Sequence, residues 1–449
     1  MPARLWLENE AWDEPRNLYG IARGRSGSKI EKEAWEEQEE YVAQYVDWAF
    51  KRSLLEEEKG AILLAGLAGA KPIGRKATQL DWSETRHQDA QLALKRKLLG
   101  VENKYPELKL PHKKAGPAAP VLRSGSPEEA EMKPDSESRI REVCRDWAME
   151  GGEPCTVLVA RHGVIVIHEA FGGPKELPID INTHLPLASI AKSFSGLLFA
   201  QFMDQGLLAV DDPVGKYLPD FPTDGEKAIT LRHCLTHTTG FKGNGSQWGG
   251  MNNPWLDNVI AHGLEYCKPG KVRIYNGMGF DLAGKAMEIV SGKSIFRLFH
   301  ENFFNPLGLH NPTITNMGMG VICTVEDLAR VGQLMANRGS YGETEFFSPA
   351  TFEQLLPRPL AQMFPGIKTD EGRTYGLGIN WLGIDHPKAD EEGVPVLSKN
   401  TIGHKAGSSA VLRVDLDNDL VIAVSRFKKG KDYWEHLARF LLTVAACME

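Results

Sequence analysis

Leu185-Pro186-Leu187-Ala188-Ser189-Ile190-Ala191-Lys192-Ser193-Phe194 is the stretch on which the reading of this chain turns. An extended, proline-containing segment passes into a run that is apolar on nearly every face. The run ends at Met203-Asp204-Gln205-Gly206, with Gly206 in the C-cap position. This pattern predicts a central buried helix with Ser189 in its first turn and Lys192 on the same face, three residues on. A serine there gains from unpaired backbone N–H groups and from the positive end of the helix dipole. A partly desolvated lysine shifts toward its neutral form and can accept the serine proton. The spacing alone decides nothing, because it recurs at Ser26-Gly27-Ser28-Lys29 and Ser425-Arg426-Phe427-Lys428. Ser26 lies in a polar Gly/Ser-rich stretch, and Ser425 ends an apolar run that reads as a buried strand. A helix-capping serine beside a snorkelling lysine is the plain alternative.

Two further segments carry chemistry. Arg273-Ile274-Tyr275-Asn276-Gly277 offers a phenol, which titrates near pH 10 unless nearby cations stabilise its anion. Gly403-His404-Lys405-Ala406-Gly407 places a histidine between glycines. A serine with its own proton-handling groups describes acyl transfer through a covalent intermediate. His233 and His237, four apart, lack the third ligand pair or the glutamate of a zinc helix, so no metal is expected. Gly69-Ala70-Lys71-Pro72-Ile73-Gly74-Arg75-Lys76 fails as a phosphate-binding loop, since Arg75 stands where lysine is required.

From about residue 135 the chain resembles the serine β-lactamase-like family of class C β-lactamases, penicillin-binding proteins, carboxylesterases and D-aminopeptidases. The resemblance rests on the Ser189 segment and on Asp211-Asp212-Pro213-Val214-Gly215-Lys216-Tyr217-Leu218-Pro219. It continues through Ile229-Thr230-Leu231-Arg232-His233-Cys234-Leu235-Thr236-His237-Thr238-Thr239-Gly240, Pro269-Gly270 and the Tyr275 segment. Thr324-Val325-Glu326-Asp327-Leu328-Ala329-Arg330, Tyr375-Gly376-Leu377-Gly378 and the His404 segment complete it. It implies Ser189 as nucleophile and Lys192 with Tyr275 as proton carriers. The N–H groups of Ser189 and Gly407 become the oxyanion hole, and His404 polarises Tyr275 or holds a substrate carboxylate. It makes His237 a structural residue beside the active-site helix. In the competing register Lys405-Ala406-Gly407 is the Lys-x-Gly motif, with Lys405 at the substrate. Relatives carry Tyr-x-Asn where this chain has Tyr275-Asn276-Gly277, so Asn276 is the candidate stand-in for the missing amide. That departure bears on β-lactam recognition more than on ester cleavage. Trp248 and Trp255 are candidates for the substrate wall, with core packing the ordinary alternative.

The order of elements predicts an α+β fold: one antiparallel sheet flanked by helices, with a helical region inserted at 189–355. Residues 138–149 read as an amphipathic helix, and Arg161-His162-Gly163 as the turn of a hairpin. Strands at 401–406, 410–414 and 420–425 return near the end, and 432–447 closes as a helix. Residues 1–134 read as a helical N-terminal extension and linker, 135–449 as the hydrolase domain. Within the extension, Ser28-Lys29-Ile30-Glu31 suits a capping box for a helix to about 59. Residues 61–70 are apolar but too few to cross a bilayer. A further helix is expected over 91–100, and 106–134 is a proline- and charge-rich linker.

A net charge of −7 over 449 residues argues against nucleic acid as the main partner. The six scattered cysteines fit reduced thiols, and the first ten residues lack the apolar core of an export signal; both point to the cytoplasm. The expected partner is a small-molecule acyl substrate, with no cofactor, and the oligomeric state is open. The reading is a serine hydrolase acting on small acyl esters, with β-lactam or amide turnover as a weaker activity. An acyltransferase or D-aminopeptidase using the same residues is one alternative. A non-catalytic binding protein on this scaffold is the other.

Overall fold

The computed structural model describes residues 86–173, 179–241, 251, 253–263, 267–370, 372–382 and 396–448. The expected helix at 28–59 and the apolar stretch at 61–70 lie outside these residues. The architecture is α+β. A seven-stranded sheet has the spatial order β7-β8-β9-β10-β3-β4-β2. These strands are β2 (Arg123–Ser124), β3 (Cys155–Arg161), β4 (Val164–Phe171), β7 (Asn380–Trp381), β8 (Thr401–Lys405), β9 (Val411–Asp415) and β10 (Leu420–Ser425). Every neighbouring pair runs antiparallel except β2 with β4. Strands from the two halves of the chain meet where β10 pairs with β3. The β3–β4 turn at His162-Gly163 has positive φ at both residues, 52° and 77°. That is the signature of a two-residue hairpin whose twist matches its strands.

Each face of the sheet buries a separate apolar layer. On one lie α2 (Ser136–Gly151) and the closing helix α8 (Tyr433–Ala446). Ile140, Val143, Cys144 and Trp147 of α2 recur at helical spacing and meet Leu437, Phe440 and Val444 of α8. The other face is covered by α7 (Val325–Ala336) and the helical insertion, which holds the larger core. At the centre of that core is α3 (Ala191–Asp204), buried from Ala191 through Phe202. A helix buried on all sides has no polar face to show, which is why its sequence lacks one.

The stretch expected to be a linker at 106–134 is instead built into the fold. Strand β1 (Lys113–Ala119) pairs antiparallel with β5 (Ser340–Glu345), and β2 joins the main sheet. Ahead of it, α1 (Arg86–Leu98) sends Leu92 into the larger core, as does Leu110 further on. Lys95 of α1 is buried in an ion pair with Asp257 and donates to the Pro254 carbonyl at 2.9 Å. Proline and charge marked this stretch as a linker. The apolar residues spaced between them are what dock it.

Helix α3 is locked to the turn at 376–378, backbone against backbone. A Cβ at Gly196 would sit 2.0 Å from the Leu377 carbonyl oxygen, and one at Gly378 would sit 2.1 Å from that of Lys192. Gly378 also has φ +83°, where glycine is favoured. The Ser193 hydroxyl donates to the Gly378 carbonyl at 2.8 Å. The contact sets the height of Lys192 relative to the strands. In an open helix, Gly→Ala adds about 1 kcal/mol of stability. At position 196 the clash outweighs that gain, and Gly196→Ala is expected to lower unfolding stability by about 2 kcal/mol. Urea titration measures it, and a more stable variant contradicts the interlock.

Candidate active site

Ser189 lies in a single 3-10 turn, Ala188–Ile190, that leads into α3. Its neighbour Ala188 has φ +46°, an uncommon conformation for a residue with a Cβ. Half-buried, Ser189 lines a cleft of about 790 Å³ together with Tyr275, His404, Lys405 and Gly407. The sheet edge supplies the last three from β8 and the turn after it. Tyr275 comes from the loop before α6 (Met278–Ser291).

The Ser189 side chain and the Tyr275 phenol line the same cleft, close enough for the serine to favour the phenol's anion. Lys192 is 1% exposed, and its Nζ stands 4.7 Å from the centre of the Tyr275 ring. Burial pushes the ammonium down to about 8, with the Asp281 carboxylate pulling the other way. Asp281, half-buried, is pushed up to about 6 by desolvation of its carboxyl, while its Oδ1 accepts from the Met317 N–H at 3.1 Å. Cations near Tyr275 were expected to favour its anion. The balance runs the other way: desolvation of the hydroxyl, on a residue 46% exposed overall, outweighs the nearby Ser189 side chain and the charge of Arg273. Tyr275 therefore carries its proton at neutral pH, and Lys192 is the group poised to titrate.

Gly277 shows what replaces the asparagine of the relatives. Lys192 Nζ donates to the carbonyl of Gly318 at 2.5 Å. The approach is close: a Cβ at Gly318 would lie 3.0 Å from the Gly277 Cα and 3.6 Å from Lys192 Nζ. Asn276 does not stand in, since its amide turns back to donate to the Ile274 carbonyl at 3.0 Å. It is not among the residues lining the cleft. Adjacent side chains in an extended loop point apart, so moving the amide by one position cannot restore it.

His404 also differs from the expectation. It is 3% exposed, its Nε2 lies 3.0 Å from the Tyr375 hydroxyl, and its Nδ1 lies 2.7 Å from the Lys405 carbonyl oxygen. Burial pushes it down to about 4, helped by the positive charges of Lys192, Arg273 and Arg413. A neutral imidazole with both nitrogens engaged neither bonds Tyr275 directly nor holds a carboxylate by charge. Lys405 is exposed at the cleft wall. Trp248 lies outside the described residues. Trp255 is buried at 5% exposure under the Lys95 ammonium, 5.0 Å from its ring, and does not line the cleft. The histidine pair four apart separates: His233 closes the cap of a short helix by bonding Thr230, and His237 points into the site.

Several residues of the site escaped the sequence reading. Tyr375 is 3% exposed, with its hydroxyl between His404 and His237. The Arg273 guanidinium stands 5.1 Å from the Tyr375 ring and 5.6 Å from that of Tyr275. Lys429 and Trp434 form part of the rim, with the ammonium 5.1 Å from the indole. Tyr375-Gly376-Leu377-Gly378 stood out as a recognisable block, but nothing in it said where the phenol points. Trp434 occupies the polar side of α8, where an aromatic side chain was the available signal.

Among known proteins, the β-lactamase family profile matches residues 145–442. The chain belongs to this family, whose members are serine hydrolases. It is 25% identical over 252 residues to the D-alanyl-D-alanine-carboxypeptidase/endopeptidase AmpH of Escherichia coli K12, covering 48% of this chain and 64% of that one. It is 28% identical over 176 residues to penicillin-binding protein 4 of Amycolatopsis lactamdurans, covering 38% and 43%. This chain thus spans under two thirds of either protein's length. In fold it resembles EstCE1, described as a hydrolase with promiscuous acyltransferase activity, with TM-score 0.54 and 17% identity over 70% of this chain and 98% of that one.

Burying Lys192 has a measurable cost. A lysine lowered from 10.5 to about 8 disfavours folding by about 3 kcal/mol while it is protonated. That cost is full below pH 8 and fades as pH rises to 10.5, where the unfolded chain also loses the proton. Lys192→Met is expected to raise unfolding stability by about 2 kcal/mol at pH 7, the Gly318 carbonyl being left unpaired. The gain should shrink by pH 10.5. Denaturant titrations at both pH values test this, and a loss of stability at pH 7 contradicts it.

Proposed function

We propose that this protein hydrolyses small acyl esters through an acyl-enzyme on Ser189. The observation that carries the proposal is the convergence of Ser189 and Tyr275 on one cleft beside the buried Lys192, whose Nζ stands 4.7 Å from the Tyr275 ring centre. Ser189 Oγ attacks the ester carbonyl. Its proton passes to the Tyr275 hydroxyl, which gives up its own to neutral Lys192. The N–H groups of Ser189 and Gly407 receive the oxyanion, each worth about 3 kcal/mol if preorganised. Collapse expels the alcohol, which takes the proton back from Lys192. Water then attacks the acyl-enzyme, with the same groups acting in reverse.

Gly277 favours esters over lactams. With no side-chain amide at 277, and with Asn276 turned away, neither of these positions supplies the donor to an acyl amide that the resemblance implies. Ser189→Ala is expected to reduce p-nitrophenyl butyrate hydrolysis to background with unchanged unfolding behaviour. Full turnover in that variant removes Ser189 from the chemistry. With the native enzyme, kcat/KM should rise with pH through an apparent pKa near 8, because Lys192 accepts a proton only once deprotonated. A flat profile from pH 6.5 to 9 would remove lysine from the role of base.

A further inference from the structure

The polar string beneath the cleft has a direction, fixed by its two ends. At one end the Asn276 backbone N–H donates to His237 Nδ1 at 3.4 Å, so that nitrogen carries no proton. At the other, His404 Nδ1 lies 2.7 Å from the Lys405 carbonyl oxygen, which only accepts, so that nitrogen is protonated. A neutral His237 then holds its N–H at Nε2 and donates to the Tyr375 oxygen at 2.8 Å. A neutral His404 presents a lone pair at Nε2, to which the Tyr375 O–H donates at 3.0 Å. Along the string the Tyr375 hydroxyl accepts from one histidine and donates to the other, with Arg273 and Asn380 also beside it.

We infer that Tyr375 is a positioning residue whose phenol holds His237 and His404 as neutral imidazoles of opposite tautomer. The string thereby ties the loop of Tyr275 to the strand leading to Gly407. The inference rests on the catalytic reading above for its consequence, though not for its geometry. Asn276 directly follows Tyr275, and Lys405 lies two residues before Gly407. Acid–base group and oxyanion donor are therefore registered to each other through buried side chains 1 to 3% exposed. The string does not tolerate an added proton. On His237 Nδ1 it would face the Asn276 N–H, and on His404 Nε2 it would face the Tyr375 O–H. Burial disfavours both charges, and the charged groups around them act in the same sense. Lys192 and Arg273 bear on both rings, and Arg413 of β9 bears on His404. Tyr375 stays protonated for the same reason, its phenol being pushed up by burial.

The direct test is ¹⁵N NMR of histidine-labelled full-length protein at pH 7, with signals assigned through single histidine variants. His237 is expected as the neutral Nε2–H form and His404 as the neutral Nδ1–H form. Finding the same tautomer at both, or an imidazolium at either, overturns the inference. Tyr375→Phe removes the donor to His404 and leaves its Nε2 unpaired. In the folded variant kcat should fall about tenfold with KM within about twofold. The ¹⁵N-detected titration of His404 should move up, because the bond stabilising its neutral form is gone. Unchanged kcat and an unchanged His404 titration overturn the positioning role. Should that variant not fold, the tautomers of the unsubstituted protein decide. Absence of ester turnover in the native protein would count against the esterase reading while leaving the tautomers to be measured.

Discussion

The buried ammonium of Lys192 is the constraint around which the rest of this molecule is arranged. A lone cation in an apolar interior is costly, and here it is given one backbone carbonyl, an aromatic face and a distant carboxylate. That is enough to keep it in place and too little to restore its usual basicity. Much else in the site follows. The loops at 277 and 318 come close where the carbonyl reaches the ammonium, and a Cβ at 318 would press on the Gly277 Cα at 3.0 Å. Burial holds the nearby His237 and His404 neutral, and the charge of Lys192 acts in the same sense.

The sheet and the insertion divide the work. Strands drawn from both ends of the domain give a rigid edge, along which β8 presents Lys405 and the turn to Gly407. The helical part supplies the nucleophile at the entry to α3, its most enclosed element. The two halves meet at the 376–378 turn, where glycines let main chain touch main chain. A site built across such a seam depends on the seam's geometry more than on any single hydrogen bond.

How much of this was legible in the sequence differs by kind of information. The α2 stripe, the β3–β4 hairpin and the three closing strands could be read because local periodicity decides them. Ser189 and Lys192 could be placed because one helical turn relates them. The position of the Tyr375 hydroxyl could not, because it depends on contacts with residues 138 and 29 positions away. The neutral state of His404 was equally hidden, since burial, the largest influence on it, is a property of the packed chain. At 106–134, composition pointed to a linker, and the pairings with 340–345 and with β4 show otherwise.

That pairing changes what counts as the smallest self-sufficient unit. The boundary that the family-like motifs draw near residue 135 cuts off β1, β2 and the side chains of Leu92 and Leu110. A fragment trimmed there would bare an unsatisfied row of main-chain donors and acceptors along β5 and open hollows in the larger core. Such a fragment would invite self-association along the bared strand.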